Sequence, residues 1–319
     1  MSGPDIGLRH WLAARSYRAE DYVTEELLAA KAASVSVVLP TRGVAGTIGA
    51  VLDALRPLAA AGLVDELVVV DAASPDGTAD VAEARGVTVH QESELLSAFG
   101  PARGKGDAMW RALSATRGDI VAFLDADTED FRPGFLLGLL GPLFEDPGLQ
   151  LLKGAFRRPL RVGGERIPDE GGRVTELVAR PLINLHVPEL AGFRQPLAGE
   201  ISGRRELLES LAFPVGYRVE IAMLIDAVRA VGIDALGQVD LGTRQNRHQS
   251  LRALGAMSYS VMHAGLHRVY GGEGLDPAGT GWLHQPNGDG LAPRAVAVEE
   301  RPPVASLPGR SPAVRALVS

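Results

Sequence analysis

Two acidic residues, Asp125 and Asp127, form a D-x-D pair around Ala126, directly after an apolar run of the chain. Carboxylate oxygens suit Mg²⁺ or Mn²⁺, and such a cation can also bind a diphosphate. Chance alone gives about one D-x-D in a chain with this aspartate content, so the bare match is weak. Its place at the end of a predicted buried strand favours a metal or nucleotide contact, because paired carboxylates there need a neutralising partner.

Lys105 lies between two glycines, just before a predicted helix. An anion bound there would meet both the ammonium group and the free N–H groups of the helix end. The alternative is a lysine in a flexible loop. Lysine is scarce in this chain, which has only Lys31, Lys105 and Lys153 beside 29 arginines, and this favours a functional role.

A second glycine turn, Gly171–Gly172, is followed by Arg173 and Thr175 at a predicted helix start. A guanidinium, a hydroxyl and a helix N-terminus can together hold a phosphate or carboxylate. A capped helix with solvated arginines, Arg180 included, is the alternative.

Two more polar segments follow further along the chain. Tyr217 and Glu220 precede or begin an apolar helix, where an acid is also common for helix-dipole reasons alone. Arg244 is followed by Asn246 and His248 in a polar loop, and an imidazole there could complete a metal site, although a lone loop histidine is more often solvated.

The elements that position these residues alternate between strand and helix in the first half. The predicted strands and helices are Ser34–Pro40, Thr47–Leu58, Glu66–Asp71, Thr78–Arg85 with Ser74 as its N-cap, Val87–His90, Gly106–Thr116 and Asp119–Asp125. This alternation predicts an α/β fold with a mostly parallel sheet. Ligands collect beyond the carboxyl ends of such strands, which draws attention to Pro40–Arg42, Ser74 and Asp125–Asp127.

The regular alternation of strands and helices ends at about residue 151. The predicted elements are a strand at Leu151–Phe156, a loop at Arg161–Gly172, helices at Val174–Leu185, Glu206–Leu211 and Val219–Val231, and a strand at Ile233–Asp240. We expect an N-terminal helical extension (1–33), an α/β region (34–150), a second region of mixed structure (151–270) and a wrapped or mobile Gly/Pro-rich tail (271–319).

Composition excludes several classes of protein. The 319 residues are 46% apolar and 22% charged, which predicts a globular chain. A net charge of −7 argues against nucleic-acid binding, and the absence of cysteine excludes thiolate chemistry. We find no signal peptide and no apolar stretch of the roughly 20 residues that span a bilayer, so we expect a cytoplasmic protein without a membrane partner. No dinucleotide or P-loop glycine motif follows a strand.

The ordered motifs resemble those of the actinobacterial glucosyl-3-phosphoglycerate and mannosyl-3-phosphoglycerate synthases. The resemblance covers about residues 29–262 and rests on segments that include LVDELVVVDAASPDGT, GKGDAMWRAL, GDIVAFLDAD, GGRVTELVARPL, QPLAGE and FPVGYRVEIAMLID. It implies a GT-A fold, in which a Rossmann-like nucleotide-sugar domain carries a smaller α+β acceptor region. It also implies retaining transfer of a hexose from a nucleotide diphosphate sugar to D-3-phosphoglycerate, and a homodimer.

The resemblance also implies a role for each matching residue. Pro40, Thr41 and Arg42 would border the base with Ser74 nearby, and Lys105, Asp125, Ala126 and Tyr217 would contact the nucleotide sugar. Asp127 would hold Mg²⁺ or Mn²⁺, together with His248. Gly172, Arg173, Thr175, Arg244 and Asn246 would bind the acceptor, and Glu220 would act with Asp127 and Lys105 in catalysis.

The chain departs from the family pattern at two places. Gly43-Val44-Ala45 replaces an Asn-Glu-Glu run, which removes a carboxylate from the base site and leaves GDP-mannose, GDP-glucose and UDP-glucose open as donors. The family's metal-binding histidine aligns with Asn246, so either His248 takes its place or the Asn246 amide does. Two rival functions stay open, namely a transferase with another acceptor and a nucleotide-sugar-binding protein with degenerate catalysis.

Overall fold

The computed structural model describes residues 4–162, 165–167, 171–244, 250–272 and 280–308. Its strands, in chain order, are β1 (Ser16–Arg18), β2 (Val35–Thr41), β3 (Glu66–Asp71), β4 (Thr88–Gln91), β5 (Ile120–Phe123), β6 (Leu151–Arg157), β7 (Leu160–Val162), β8 (Glu165–Ile167), β9 (Ile201–Arg204), β10 (Phe213–Pro214), β11 (Leu236–Thr243), β12 (Thr280–Asn287), β13 (Gly290–Ala297) and β14 (Glu300–Arg301). Its α-helices are α1 (Pro4–Arg15), α2 (Thr24–Ala30), α3 (Ala45–Ala60), α4 (Thr78–Glu83), α5 (Lys105–Ala115), α6 (Pro133–Glu145), α7 (Arg180–His186), α8 (Arg205–Ser210), α9 (Val219–Val231) and α10 (Leu251–Tyr270).

Eight strands form one central sheet in the order β1-β11-β6-β9-β5-β2-β3-β4. All neighbours pair in parallel except β9, which is antiparallel to both β5 and β6. The central strands are continuously apolar because helices cover both faces, and two clusters of buried side chains fill the two layers. The mostly parallel α/β sheet predicted from the sequence is therefore confirmed.

The strand pattern brings several loops to one edge. Because β9 runs against both of its neighbours, β5 and β6 run in the same direction. The carboxyl ends of β2, β3, β5, β6 and β11 consequently meet on one side of the sheet, and the segments that follow them lie together.

The structure differs from the sequence prediction in the segment 161–172, which was expected to be a loop. There β7 and β8 pair as a short antiparallel hairpin. The strand after α9 also begins at Leu236 rather than Ile233, because a 3₁₀ turn covers Ile233–Ala235.

The Gly/Pro-rich tail, for which the sequence left wrapping and mobility open, forms regular structure within residues 280–308. β12 and β13 form a hairpin whose turn contains Gly288 at φ 57°, and an Asn-Gly pair is a turn signal that could have revealed it. β14 pairs with β10, and Trp110 Nε1 donates a hydrogen bond to the Pro302 carbonyl at 2.7 Å. The expected wrapping of the tail is thus present around α5.

The predicted helix cap at Ser74 is also wrong. Gly77 occupies the N-cap of α4, and the side chain of Asp76 accepts a hydrogen bond from the Thr78 amide at 3.2 Å. Ser74 instead joins the ends of β2 and β3. Across the described ranges, the helices are all too short or too polar to cross a membrane.

Candidate active site

A cavity of about 210 Å³ opens at the carboxyl edge of the sheet. It collects most of the residues that the sequence singled out, although they come from five separate segments. The predicted residues on its wall are Lys105, Asp125, Asp127, Gly172, Arg173, Thr175, Tyr217, Glu220 and Arg244. Pro40, Thr41, Arg42, Ser74 and Ala126 are not on this wall, and Asn246 and His248 lie outside the described residues.

Arg244 organises the acidic side of the cavity. Its side chain is fully buried, and Nη2 donates to Asp125 Oδ2 at 3.2 Å and to Asp127 Oδ1 at 3.0 Å. Nη1 pairs with Glu200, which is buried behind the cavity. Asp127 is the open end of this array, since 57% of its side chain is exposed.

Lys105 forms the second cationic centre. Its ammonium pairs with Asp125 and lies 3.1 Å from Glu220 Oε1. Gly104, at φ 80°, lets the chain turn into α5, and Gly106 packs so closely on the Pro214 carbonyl that no side chain fits there. The glycines on either side of Lys105 therefore serve close packing against the segment that leads to Glu220.

The charged groups of this cluster stabilise one another's ionised forms. Burial alone would lower the pKa of Lys105, but Asp125 and Glu220 outweigh it and raise that pKa. Burial would raise the pKa of Asp125, yet Lys105 and Arg244 hold it well below its usual range. Beneath them, burial lowers the pKa of Lys153 to about 8, and its Nζ donates to the Ala198 carbonyl at 2.9 Å. Lys105 and Asp125 therefore stay ionised around neutral pH.

Tyr217 and Glu220 reach the cavity from the turn before α9. A 3₁₀ turn at Gly216–Arg218 directs Tyr217 towards the opening, whereas the Arg218 side chain lies inside and donates to the Glu299 carbonyl at 3.0 Å. Glu220 is buried in the first turn of α9. The Arg218 contact ties this turn to the strand-forming tail.

The glycine turn forms the opposite wall. Gly171 donates its N–H to the Arg158 carbonyl at 2.8 Å and packs too closely on Arg158 for a Cβ, while Gly172 has φ 73°. Thr175 is buried at the start of a π-helical turn, Thr175–Ala179, that precedes α7. Arg180 is bound to Glu176 at 2.8 Å and is absent from the cavity wall.

Sequence reasoning missed four polar or small residues of this site. Arg158 lines the cavity, and its buried Nε has no hydrogen-bond partner among the described residues. Glu200 and Lys153 are buried in the layer below the cavity. Gly199, which has no side chain, leaves room for Lys105 and Asp125. The QPLAGE motif contained two of the four and was a usable signal, whereas Arg158 follows β6 without any recognisable motif.

The ends of β2 and β3 form a separate polar cluster beside the cavity. Thr41 Oγ1 and Ser74 Oγ both donate to Asp71 Oδ1, at 2.9 and 2.6 Å. Ser74 Oγ in turn accepts the Gly43 amide at 2.9 Å. The structure therefore brings Thr41 and Ser74 together, as their shared position after neighbouring strands predicts.

The side chains of the cavity suit a divalent cation that takes most of its ligands from phosphate oxygens and water rather than from the protein. Within the described ranges, no three acidic, histidine or cysteine side chains are arranged so that together they could hold a metal ion. Asp127 offers one exposed carboxylate, and Asp125 is occupied by Lys105 and Arg244. Mg²⁺ and Mn²⁺ commonly bind through one or two carboxylates plus phosphate oxygens and water, so these residues suit such an ion.

Known proteins are similar to this chain in sequence and in fold. The family model described as glycosyl transferase family 2 matches residues 36–190. Glucosyl-3-phosphoglycerate synthase of Mycolicibacterium smegmatis is 43% identical over 301 residues, which cover 93% of this chain and 98% of that protein.

Two solved structures are also similar. Mannosyl-3-phosphoglycerate synthase from Rubrobacter xylanophilus superposes with a TM-score of 0.83 at 46% identity, over 93% of this chain and 98% of its own. Glucosyl-3-phosphoglycerate synthase from Mycobacterium tuberculosis, solved with Mn²⁺, UDP-glucose and phosphoglyceric acid, gives 0.80 at 41% identity, over 92% and 98%.

Proposed function

Because the chain belongs to the glucosyl-3-phosphoglycerate synthase family of glycosyl transferases, we propose that it moves glucose or mannose from a nucleoside diphosphate sugar to D-3-phosphoglycerate. One observation carries this proposal. A single cavity joins the acidic and cationic groups suited to a metal-bound diphosphate with the glycine turn, Arg173 and Thr175, which suit a small anionic acceptor. The homodimer and the cytoplasmic location stay predictions from the sequence.

On the donor side, Asp127 is the described residue placed to hold a divalent cation, Mg²⁺ or Mn²⁺, against the diphosphate. When bound, such a cation neutralises the leaving group as the sugar–phosphate bond breaks. Lys105 and Arg244 add fixed positive charge, since their carboxylate partners keep both groups protonated. Asp125 is held by both cations and stays ionised on the side where the ribose would lie.

On the acceptor side, Gly172, Arg173 and Thr175 surround a space that also borders Arg244. 3-Phosphoglycerate carries a phosphate and a carboxylate, and guanidinium groups bind both in a bidentate manner. An acceptor held by these groups would present its C2 hydroxyl towards the sugar.

In the proposed reaction, the bond between the anomeric carbon and the diphosphate oxygen breaks, and a bond forms from that carbon to the C2 hydroxyl oxygen. The nucleoside diphosphate leaves with the electron pair and takes up the hydroxyl proton. Glu220, fixed by Lys105, accepts hydrogen bonds from sugar or acceptor hydroxyls, and Tyr217 covers the sugar from the open side. These side chains orient the reacting groups, so the contribution of the protein is chiefly alignment and charge stabilisation.

The proposal is tested by assaying UDP-glucose, GDP-glucose and GDP-mannose, each with 3-phosphoglycerate, in Mg²⁺, Mn²⁺ or EDTA. We expect transfer with at least one donor and none in EDTA. Donor binding without transfer from any donor would contradict the proposal and support a binding protein or another acceptor.

Replacing Arg173 with alanine is expected to raise KM for 3-phosphoglycerate about tenfold or more, because one charge-assisted contact to an anion is lost. KM for the donor should change about twofold at most. Steady-state kinetics with each substrate varied in turn measure both values. Equal increases in the two KM values would show that Arg173 does not bind the acceptor specifically.

Replacing Gly199 with alanine is expected to lower kcat about 10²-fold, because the added Cβ overlaps Lys105 Nζ and the Asp125 carboxylate and displaces the ion pair. Gly46→Ala, on the open surface of α3, is the matched control and should be active, since nothing lies within 4 Å of its Cβ position. A fully active Gly199→Ala variant would show that the exact position of the Lys105–Asp125 pair does not limit the reaction.

A further inference from the structure

The order of the strands indicates where the base of a donor would lie, provided that the proposed function holds. Arg158 and Arg244 follow β6 and β11 on one side of the cavity, and Asp125 follows β5. β2 and β3 lie on the other side of β5, and adjacent strands are about 4.8 Å apart. A nucleoside whose diphosphate meets Asp127 therefore extends over the ends of β2 and β3.

The hydrogen-bond acceptors at these two strand ends are already engaged. Asp71 is 1% exposed, accepts from Thr41 and Ser74 at Oδ1, and accepts the Ser74 amide at Oδ2 at 2.8 Å. Asp76 Oδ2 accepts the Ala45 amide at 3.0 Å, and Oδ1 accepts the Thr78 hydroxyl at 2.6 Å. Asp71 is therefore not available to a base, whereas Asp76 is exposed and holds the loop after β2 in place.

The backbone donors of the loop after β2 are engaged as well. The Gly43 amide binds Ser74, the Val44 amide donates to Thr78 Oγ1 at 3.0 Å, and the Ala45 amide binds Asp76. Since Gly43, Val44 and Ala45 have no polar side chain, this loop offers a base no carboxylate and no free N–H from these three positions.

Arg42 is an open polar side chain at the end of β2. It is exposed, and within the described part of the chain it makes no hydrogen bond and no ion pair. Glu92, after β4, has an unpartnered oxygen but is only 3% exposed, so it offers no acceptor at the surface. At the end of β2, the polar side chain open to a base is thus the guanidinium of Arg42.

We propose that Arg42 reads the base of the donor and selects guanine over uracil. Guanine presents two adjacent acceptors, O6 and N7, which match the fork of an arginine, and this is the commonest specific contact to that base. Uracil presents O4 between a C–H and an N–H group, so the same guanidinium makes a single hydrogen bond. The chain therefore prefers donors built on GDP.

The test is the affinity of the full chain for GDP and for UDP, each with Mn²⁺, measured by calorimetry for the wild type, Arg42→Leu and Arg42→Lys. We expect the wild type to bind GDP more tightly than UDP. Arg42→Leu should weaken GDP binding about tenfold and UDP binding about twofold at most. Arg42→Lys should also lose selectivity, because lysine keeps the charge but not the fork.

Arg56→Leu is the matched control, because Arg56 is an exposed arginine on α3, and it should leave both affinities unchanged. Equal losses for GDP and UDP in Arg42→Leu would overturn the proposal, since they would indicate a general charge effect on the diphosphate. A wild type that binds UDP as tightly as GDP would overturn it too. Selective GDP binding without hexose transfer would instead contradict the proposed function and support the role of Arg42.

Discussion

Replacing Asp127 with asparagine is expected to lower kcat about 10³-fold, with 3-phosphoglycerate as acceptor and the preferred nucleotide sugar as donor. The carboxylate is the exposed acidic group of the cavity and the described residue best placed to bind a divalent cation at the diphosphate. Loss of a metal's charge stabilisation costs several kcal/mol of transition-state stabilisation, and about 1.4 kcal/mol corresponds to each tenfold in rate.

The fold of the Asp127→Asn variant should be intact, because an amide oxygen can still accept the Arg244 hydrogen bond at this half-exposed position. Its melting temperature should therefore match that of the wild type. Glu129→Gln, which changes an exposed carboxylate two residues away, serves as the control and should be fully active. If Asp127→Asn kept wild-type kcat with the same dependence on Mn²⁺, Asp127 would not be the metal ligand.

Replacing Asp107 with asparagine is expected to lower the free energy of unfolding by about 3–5 kcal/mol, because it leaves buried guanidinium groups without their counter-charge. Asp107 is fully buried, and its carboxylate accepts from Arg111 Nε at 3.0 Å and from Arg301 Nη2 at 2.6 Å. An asparagine NH₂ group would face guanidinium donors there. Urea denaturation measures the loss.

The same variant should release the tail from α5, since Arg301 joins β14 to this helix through Asp107. Limited proteolysis should then cut near residues 299–306 faster than in the wild type. Asp53→Asn is the matched control, because Asp53 also pairs with an arginine, Arg85, but at the surface, where such pairs contribute little. Equal behaviour of the two variants would show that the buried pair does not anchor the tail.

Much of the fold could be predicted because its information is local. The run Val35–Thr41 is apolar and β-branched, and α9 was predicted with the bounds that it has, since apolar periodicity and Gly232 define it. The hairpin of β12 and β13 was missed because its strands are largely exposed, and exposed strands lack the apolar alternation on which the prediction depends.

The candidate site was predictable where a motif follows a strand or begins a helix. Asp125, Asp127, Lys105 and the turn before Thr175 were found in this way, and the structure places them around one cavity. Arg158 and Glu200 were missed because each acts through neighbours that are distant in sequence. The pair of Glu200 with Arg244, for example, joins residues 44 positions apart.

The sequence by itself determined the alternation of strands and helices, the family and the chemical types of the groups at the strand ends, because periodicity and motifs are properties of neighbouring residues. Only the tertiary structure decided which polar side chains are paired with protein groups and which are exposed to solvent. Arg244 and Lys105 occupy Asp125, Thr41 and Ser74 occupy Asp71, and Asp127 and Arg42 stay exposed. The physical reason is that burial and pairing, which fix the charge and availability of a side chain, depend on contacts that form only when the sheet is assembled.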